Sequence, residues 1–256
     1  MKTKTALVTG ASSGIGLVFA QELAKDGYNL TCVARSEDKL KQLVNDLGNN
    51  YRYLTADLSD PDQLSKVCRD VEENNYSLLV NNAGYGMYDW FENFPLDKYE
   101  NMMYLNMNAL VRLSYVFLTH ARSGDALINV SSALSLLSYP GGAVYCGTKA
   151  FVTNFSESLW YEYKDKGIYV MTLMPGLTKT NFHNVALGAK QEHLPERLTY
   201  TPEVVVAEAL KALKARKKPS LISGPRFRFL AALANKLLSR KKMISLMGKN
   251  SPALKE

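Results

Sequence analysis

The apolar run Ala6-Leu7-Val8 passes straight into Thr9-Gly10-Ala11-Ser12-Ser13-Gly14-Ile15-Gly16, and a helical pattern follows from about Gly16 to Asp26. Strand, glycine-rich turn and helix in that order open a βαβ crossover, whose second strand returns parallel to the first. The rest of the chain keeps the alternation. Gly27 stops the first helix as a left-handed C-cap does. Strand two reads as Leu30 to Ala34, followed by a helix over 36–47, a strand at 51–55, a helix at 61–73 and a strand at 77–81. A long helix is expected after Pro95, then strand 126–131, a helix bearing Tyr145 and Lys149, and strand 168–174 closed by Pro175-Gly176. A helix opening at Thr201-Pro202-Glu203 and a short strand from Pro219 to Ser223 complete the pattern. It predicts an α/β fold, a single domain doubly wound on a parallel sheet. Residues 177–200 lack periodicity and are expected to form a lid over a site.

The first turn is an anion site by construction. Backbone amides and a helix N-terminus point at whatever binds above the sheet, and three glycines let the backbone approach a pyrophosphate. The spacing is G-x-x-x-G-x-G, not the commonest dinucleotide fingerprint, but its place between strand one and helix one favours a dinucleotide over a plain tight turn. Nineteen residues beyond Gly16, where an NAD site would place an acid against the ribose 2′-hydroxyl, stand Ala34 and Arg35. A guanidinium matches a phosphate bidentately, so the 2′-phosphate of NADP(H) is the expected ligand of Arg35, with Glu37 and Asp38 close by.

Tyr145 and Lys149 lie four apart on one helix face. A phenol titrates near ~10, and a neighbouring cation stabilises the phenolate, so Lys149 is expected to lower the pKa of Tyr145 and make an acid/base pair for a carbonyl or an alcohol. Any helix can show this spacing, and the partners elsewhere give it meaning.

Those partners make the chain resemble the short-chain dehydrogenase/reductase family over roughly residues 4–224. The TGASSGIG turn resembles its cofactor loop, Asn81-Asn82-Ala83-Gly84 its sheet-end motif, Ser132 its catalytic serine thirteen residues before Tyr145, and Asn106 its catalytic asparagine. Pro175-Gly176 with Thr180 resembles the segment that holds the nicotinamide carboxamide, and Asp57 the acid that contacts the adenine. Where the family often has glycine three residues after its serine, this chain has Ser135. The resemblance implies a Rossmann-type fold and a catalytic set of Asn106, Ser132, Tyr145 and Lys149. It implies cofactor contacts from Gly10, Ser12, Ser13, Gly14, Ile15, Gly16, Arg35, Asp57, Asn82, Tyr145, Lys149, Pro175, Gly176 and Thr180. In the implied reaction a hydride reaches a carbonyl carbon while Tyr145 protonates the oxygen and Ser132 hydrogen-bonds it. Lys149 would hold the nicotinamide ribose, and Asn106 would position a water leading from Lys149 to solvent.

A substrate class follows from apolar residues in the lid (Phe182, Val185, Leu187, Leu194, Leu198) and before Tyr145 (Leu134, Leu136, Leu137, Tyr139). If these face inward, the pocket suits a lipophilic ketone or secondary alcohol such as a steroid, bile acid or fatty-acyl derivative. The alternative is a non-enzymatic NADP(H)-sensing or membrane-associated protein on the same fold. Of the net charge of +7, residues 211–256 carry +12, from 13 Lys/Arg against Glu256, which leaves −5 on residues 1–210. The chain thus divides into a dinucleotide-binding and catalytic part, 1–224, and a basic amphipathic extension, 225–256. Phe227, Leu230, Ala234, Leu237 and Leu238 recur at helical spacing over 226–247, so that helix either lies on anionic lipid, covers the substrate site or packs on a second subunit. No reader motif accompanies the charge, and nucleic acid is not expected.

Cys32, Cys68 and Cys146 lie far apart and fit free thiols in a reducing cytoplasm. His120, His183 and His193 lack liganding spacing, so no metal is expected, and surface positions on a helix end and the lid suit them. No apolar run of 18 residues and no signal-peptide pattern occurs. Family analogy implies a homodimer or homotetramer through helices near 97–121 and 145–166.

Overall fold

A computed structural model describes residues 4–48, 51–187, 196–229 and 238–254. Seven strands form one sheet: β1 (Thr5–Thr9), β2 (Asn29–Ala34), β3 (Arg52–Thr55), β4 (Leu78–Asn81), β5 (Ala126–Val130), β6 (Tyr169–Met174) and β7 (Ser220–Ile222). Their spatial order is β3-β2-β1-β4-β5-β6-β7 and every pairing is parallel. The order reverses direction between β1 and β4, so the crevice at their carboxyl ends is the switch point where open α/β sheets bind ligands.

Both faces of the sheet are buried, which is why its strands read as nearly continuous apolar runs. Along β1, Ala6 and Val8 enter one core while Leu7 enters the other; β4 and β5 divide in the same way, with Leu79 and Leu127 opposed to Val80 and Ile128. The first core is covered by α1 (Gly14–Lys25), α2 (Glu37–Leu47) and α8 (Pro202–Ala215), through Phe19, Leu23, Leu40, Val206 and Leu213. The second is covered by α3 (Pro61–Asn74) and α5 (Leu110–His120), through Leu64, Val67, Leu113 and Phe117. Helix starts follow capping chemistry: Asp60 accepts from the amides of Asp62 and Gln63 at 2.9 and 3.0 Å with Pro61 in the first turn. This is the expected doubly wound, Rossmann-type architecture.

Three elements depart from expectation. The helix after Pro95 is α4 (Leu96–Met103), then a π-helical stretch over Tyr104–Ala109, then α5. Asn106 sits inside the π stretch, whose wider turn is a local change of register of the kind found at functional sites. In the lid, Phe182–Leu187 forms a helix, α7, and Glu196–Leu198 a 3₁₀ turn; Leu194 and His193 lie outside the described residues. The basic extension is not one helix across 226–247: residues 225–229 are helical, the chain bends at Leu238, and α9 (Arg240–Lys249) starts afresh where the Ser239 hydroxyl accepts from the Lys242 amide. Leu230, Ala234, Lys236 and Leu237 lie outside the described residues. Among the described residues no helix is long and apolar enough to cross a membrane.

Candidate active site

On the cofactor side, the turn after β1 is held by the end of β4. The Thr9 hydroxyl accepts from the amides of Asn82 and Ala83 at 2.9 and 3.0 Å, and the Asn82 side-chain amide donates to the carbonyls of Thr9 and Gly10 at 3.0 and 3.3 Å. Asn82 thus occupies the space a side chain would need. A Cβ on Gly10 would lie 2.8 Å from Asn82 Nδ2, one on Gly16 2.5 Å from the same atom, and Gly10 also has a left-handed φ of +68°. Ser13 stands at the N-cap of α1 and supplies no side-chain cap, unlike Asp60 on α3, so the first amides of α1 remain available to an anion. Ser12 and Ile15 are half-buried in the turn and Ser13 is exposed.

Arg35 leaves the end of β2 with its side chain 76% exposed and its guanidinium 3.9 Å from Asp57. Glu37, which could have neutralised it, is instead paired to Lys41 one turn along α2 at 3.0 Å. The Asp57 carboxylate accepts from the amide and hydroxyl of Ser59 at 2.9 and 2.6 Å, which fixes it at the β3 end. Thr180 lies over the glycine turn, with its Cγ2 3.1 Å from where a Gly14 Cβ would stand. Pro175 accepts from the Ala133 amide at 2.8 Å, tying the β6 end to the residue after Ser132. Glycines no Cβ can replace, uncapped helix amides and an open guanidinium suit a dinucleotide carrying a 2′-phosphate.

On the substrate side, α6 (Ala143–Tyr163) brings Tyr145 and Lys149 beneath Ser132 at the end of β5. The Ser132 hydroxyl accepts from the Leu134 amide at 3.2 Å and lowers the pKa of the Tyr145 phenol. Lys149 is buried and donates to the Val130 carbonyl at 2.9 Å, with its Nζ 5.9 Å from the Tyr145 ring centre. Ser135, which stands where the family often has glycine, accepts from Thr153 at 2.9 Å and so ties the 3₁₀ turn Ala133–Leu136 to α6.

The expected lowering of the phenol pKa by Lys149 is not what this geometry produces. Burial raises the Tyr145 pKa, partly opposed by hydrogen bonds from Ser132 and from a residue not foreseen, Tyr88. Lys149 itself is lowered to about 8, because burial disfavours its ammonium. Asn106 is buried, and its side chain is engaged by protein: Nδ2 donates to Tyr85 O at 3.0 Å and Thr148 Oγ1 at 3.1 Å, and Oδ1 accepts from the Tyr85 amide at 3.2 Å. It clamps the loop after β4 onto α6 between Tyr145 and Lys149.

Around Tyr145 lies a cluster of Tyr88, Tyr99, Met102, Ala186, Leu187 and Ala253, with Tyr139, Leu134 and Phe182 packed against it. Tyr88 and Phe182 have ring centres 5.6 Å from that of Tyr145. About half the anticipated pocket residues face it. Val185 is 61% and Leu136 38% exposed, and Leu198 lines a separate cavity of about 430 Å³ with Pro225, Arg226 and Phe229. His183 is half-buried beside Phe182 with its pKa lowered by burial, contrary to the surface position expected of it. His120 is exposed at the end of α5. Cys146 is buried, with its thiol pushed up to about 11, as suits a packing residue. Among the described residues no cluster of His, Cys, Asp or Glu could hold a metal.

The extension folds back on its own chain. Phe227 covers Gly176, where a Cβ would come within 2.6 Å of its ring, and Arg228 pairs with Glu208 at 3.1 Å. Farther on, Ala253 and Ser251 are fully buried against Gly141 in the loop before α6.

Sequence reasoning missed Tyr88 and Thr148 because their partners are 57 and 42 residues away, in Tyr145 and Asn106. No local periodicity marks either one.

Comparison with known proteins shows the family of the chain. Residues 4–190 match the family model for short chain dehydrogenases. The very-long-chain 3-oxoacyl-CoA reductase of Mus musculus is 35% identical over 191 residues, 70% of this chain but 61% of that protein's length. The 7beta-hydroxysteroid dehydrogenase of Mediterraneibacter gnavus is 31% identical over 86% of each chain. Among solved structures, a short-chain dehydrogenase from Sphingobium yanoikuyae in complex with NADPH superposes with a TM-score of 0.78 at 30% identity, covering 91% of this chain and 94% of its own. The chain belongs to the short-chain dehydrogenase family.

Proposed function

We propose that the protein is an NADP(H)-dependent oxidoreductase that interconverts a lipophilic ketone and its secondary alcohol. The observation that carries this reading is the convergence of Ser132, Tyr145 and Lys149 at the sheet end, inside an aromatic cluster and next to a glycine turn suited to a pyrophosphate.

Gly10, Gly14, Gly16 and the amides at Ser12, Ser13 and Ile15 would hold the pyrophosphate, Arg35 the 2′-phosphate and Asp57 the adenine. Asn82 fixes the turn. Pro175, Gly176 and Thr180 would hold the nicotinamide carboxamide, and Lys149 the ribose hydroxyls. The bound cofactor supplies a hydride to the carbonyl carbon. Tyr145 gives its proton to the carbonyl oxygen, and Ser132 donates a hydrogen bond to the same atom. The phenolate left behind recovers its proton from solvent, by way of Lys149. Burial keeps Tyr145 protonated at neutral pH, which supports the reductive direction; oxidation of the alcohol needs the phenolate and is favoured by alkaline pH.

The lipophilic class rests on the apolar wall of Tyr88, Leu134, Tyr139, Phe182 and Leu187, and on the names of the relatives, a long-chain acyl reductase and a hydroxysteroid dehydrogenase. We assign residues 1–224 to cofactor and chemistry and 225–256 to covering the site, a role supported by Phe227 on Gly176 and Ala253 on Gly141. Exposed Tyr115, Phe151 and Tyr161 on α5 and α6 support assembly into a homodimer or homotetramer through those helices.

The test is NADPH oxidation at 340 nm against a panel of bulky and small ketones, with NADH and a Tyr145→Phe variant in parallel. Turnover of bulky ketones with NADPH is expected, and it falls by ~10²–10⁴ in the variant. NADPH binding without any turnover would favour the sensor reading, and a preference for NADH would remove Arg35 from its assigned role.

A further inference from the structure

Tyr88 packs directly against Tyr145. It is 5% exposed, its ring meets that of Tyr145 edge-on at 5.6 Å and 85°, and its hydroxyl lowers the Tyr145 pKa against the effect of burial. The ring is placed from three sides. Its backbone amide donates to Ala186 O in α7 at 2.9 Å, and the next amide, of Asp89, donates to Gly141 O at 2.9 Å. Gly142 leaves room for it: a Cβ there would stand 2.8 Å from the Tyr88 ring.

We propose that Tyr88 is a positioning residue for the proton-transfer step, holding the Tyr145 phenol in place and stabilising the phenolate that forms when its proton leaves. The proposal rests on Tyr145 being the acid of the reaction. When Tyr145 transfers its proton to the carbonyl oxygen, the O–H bond breaks and a negative charge stays on the phenol oxygen; the single hydroxyl proton of Ser132 is at that moment given to the substrate oxygen and not to the phenolate. The Tyr88 hydroxyl then serves as the donor to that charge. A donor is effective there only if it keeps its own proton, and Tyr88 does, because burial places its pKa well above the ordinary phenol value. The other ionisable groups near the pair are Cys146 and Lys149 on α6, Tyr139 on the loop before it, His183 on α7, and Asp89 and Tyr99 along the loop and α4. Of these Lys149 alone is a fixed cation, and its ammonium is turned to Val130 O. Among the described residues, Ser132 and Tyr88 are the side chains that lower the Tyr145 pKa, against the effect of burial.

Tyr88→Phe keeps the ring and removes the donor. Oxidation of a 7β-hydroxysteroid and of a long-chain 3-hydroxyacyl-CoA with NADP⁺ is followed across pH, because that direction starts from the phenolate. A lost hydrogen bond to a charged oxygen raises the pKa of its owner, so the midpoint of kcat against pH moves up by about one unit. At pH values below the midpoint kcat falls ~10-fold, while the NADPH dissociation constant and KM hold. Gly142→Ala keeps the hydroxyl but displaces the ring, and is expected to give a smaller shift of the same sign even if Tyr88→Phe fails to fold. A substrate-free titration of ¹³Cζ-tyrosine-labelled protein by NMR, with the signal assigned through Tyr145→Phe, shows wild-type Tyr145 beginning to ionise at lower pH than in Tyr88→Phe. An unmoved midpoint and an unmoved onset of ionisation overturn the proposal, as does a change confined to KM. Full activity in Tyr145→Phe would instead overturn the reading beneath it.

Discussion

At the glycine turn, close contacts run through backbone atoms, through Asn82 beside the β4 end and through Thr180; Tyr145 instead meets the rings of Tyr88 and Phe182, within a cluster that Tyr139 and Ala253 complete from two further segments. The first wall is rigid because the sheet fixes it: Thr9, Asn82 and the carbonyls between them form one network across adjacent strands. The second wall is made of side chains on loops and short helices, and its shape depends on packing. A dinucleotide is constant and suits a wall of fixed amides, whereas substrates differ and a wall of exchangeable side chains can follow them.

The sharpest way to break the first wall is Gly16→Ala. Alanine normally strengthens a helix, yet here the added methyl meets Asn82 Nδ2 at 2.5 Å and the Gly10 carbonyl oxygen closer still. The turn must move, and the expected result is a loss of NADPH affinity of ~100-fold or more, with a stability loss of about 2–3 kcal/mol. Fluorescence titration with NADPH and urea denaturation measure both. Retained affinity would show that the turn is not a fixed wall at all.

Lys149 stands where the two walls meet. Its pKa, lowered from the ordinary 10.5 to about 8, means that folding at neutral pH buries a charge the interior disfavours. Because the folded protein binds that proton more weakly than the unfolded chain, the penalty is complete below pH 8 and vanishes as pH rises from about 8 to 10.5. At 1.36 kcal/mol per pKa unit it is of order 3 kcal/mol, and the lost bond to Val130 O offsets roughly 1. Lys149→Met is therefore expected to be inactive yet about 2 kcal/mol more stable than wild type at pH 7, with the gain gone by pH 10.5. Urea midpoints of both proteins at the two pH values test this, and a variant less stable at pH 7 would show that the cation holds the site together.

The same contrast explains what could be read from the sequence. Glycines, Asn82 and Arg35 stand at fixed distances from strand ends, so a strand-and-helix pattern locates them, and Thr9-Gly10 to Gly16 lies where the switch point of the sheet falls. Ser132, Tyr145 and Lys149 were legible because strand β5 and helix α6 carry them in order. Tyr88 was not, since its role exists only once α7 and the loop before α6 are packed around it. The π stretch at Asn106 has no composition signal, because one extra residue in a helical turn leaves the apolar pattern nearly unchanged. The direction of the Tyr145 pKa shift was misjudged for a related reason: spacing shows that Lys149 shares a face, but not that its ammonium turns to Val130 O or that burial outweighs it.

The smallest expected effect concerns the cover, and it separates the walls most cleanly. Ser251 and Ala253 are fully buried, and the Ala253 methyl sits where a Gly141 Cβ would be 2.7 Å away, so the terminal turn at Pro252–Leu254 is packed on the loop that carries Tyr139 and leads into Tyr145. Removing residues 251–256 exposes that apolar contact to water and loosens the loop, while the glycine turn lies across the sheet end and keeps its Asn82 network. The truncated protein is expected to show a KM for bulky ketones raised by about tenfold, which corresponds to ~1.4 kcal/mol of lost binding, with the NADPH dissociation constant unchanged. A parallel loss of NADPH affinity would mean that the two walls are mechanically coupled, and the distinction between them would fail. An unchanged KM would place the substrate on the far side of Tyr145 from the cover, toward Phe182 and α7.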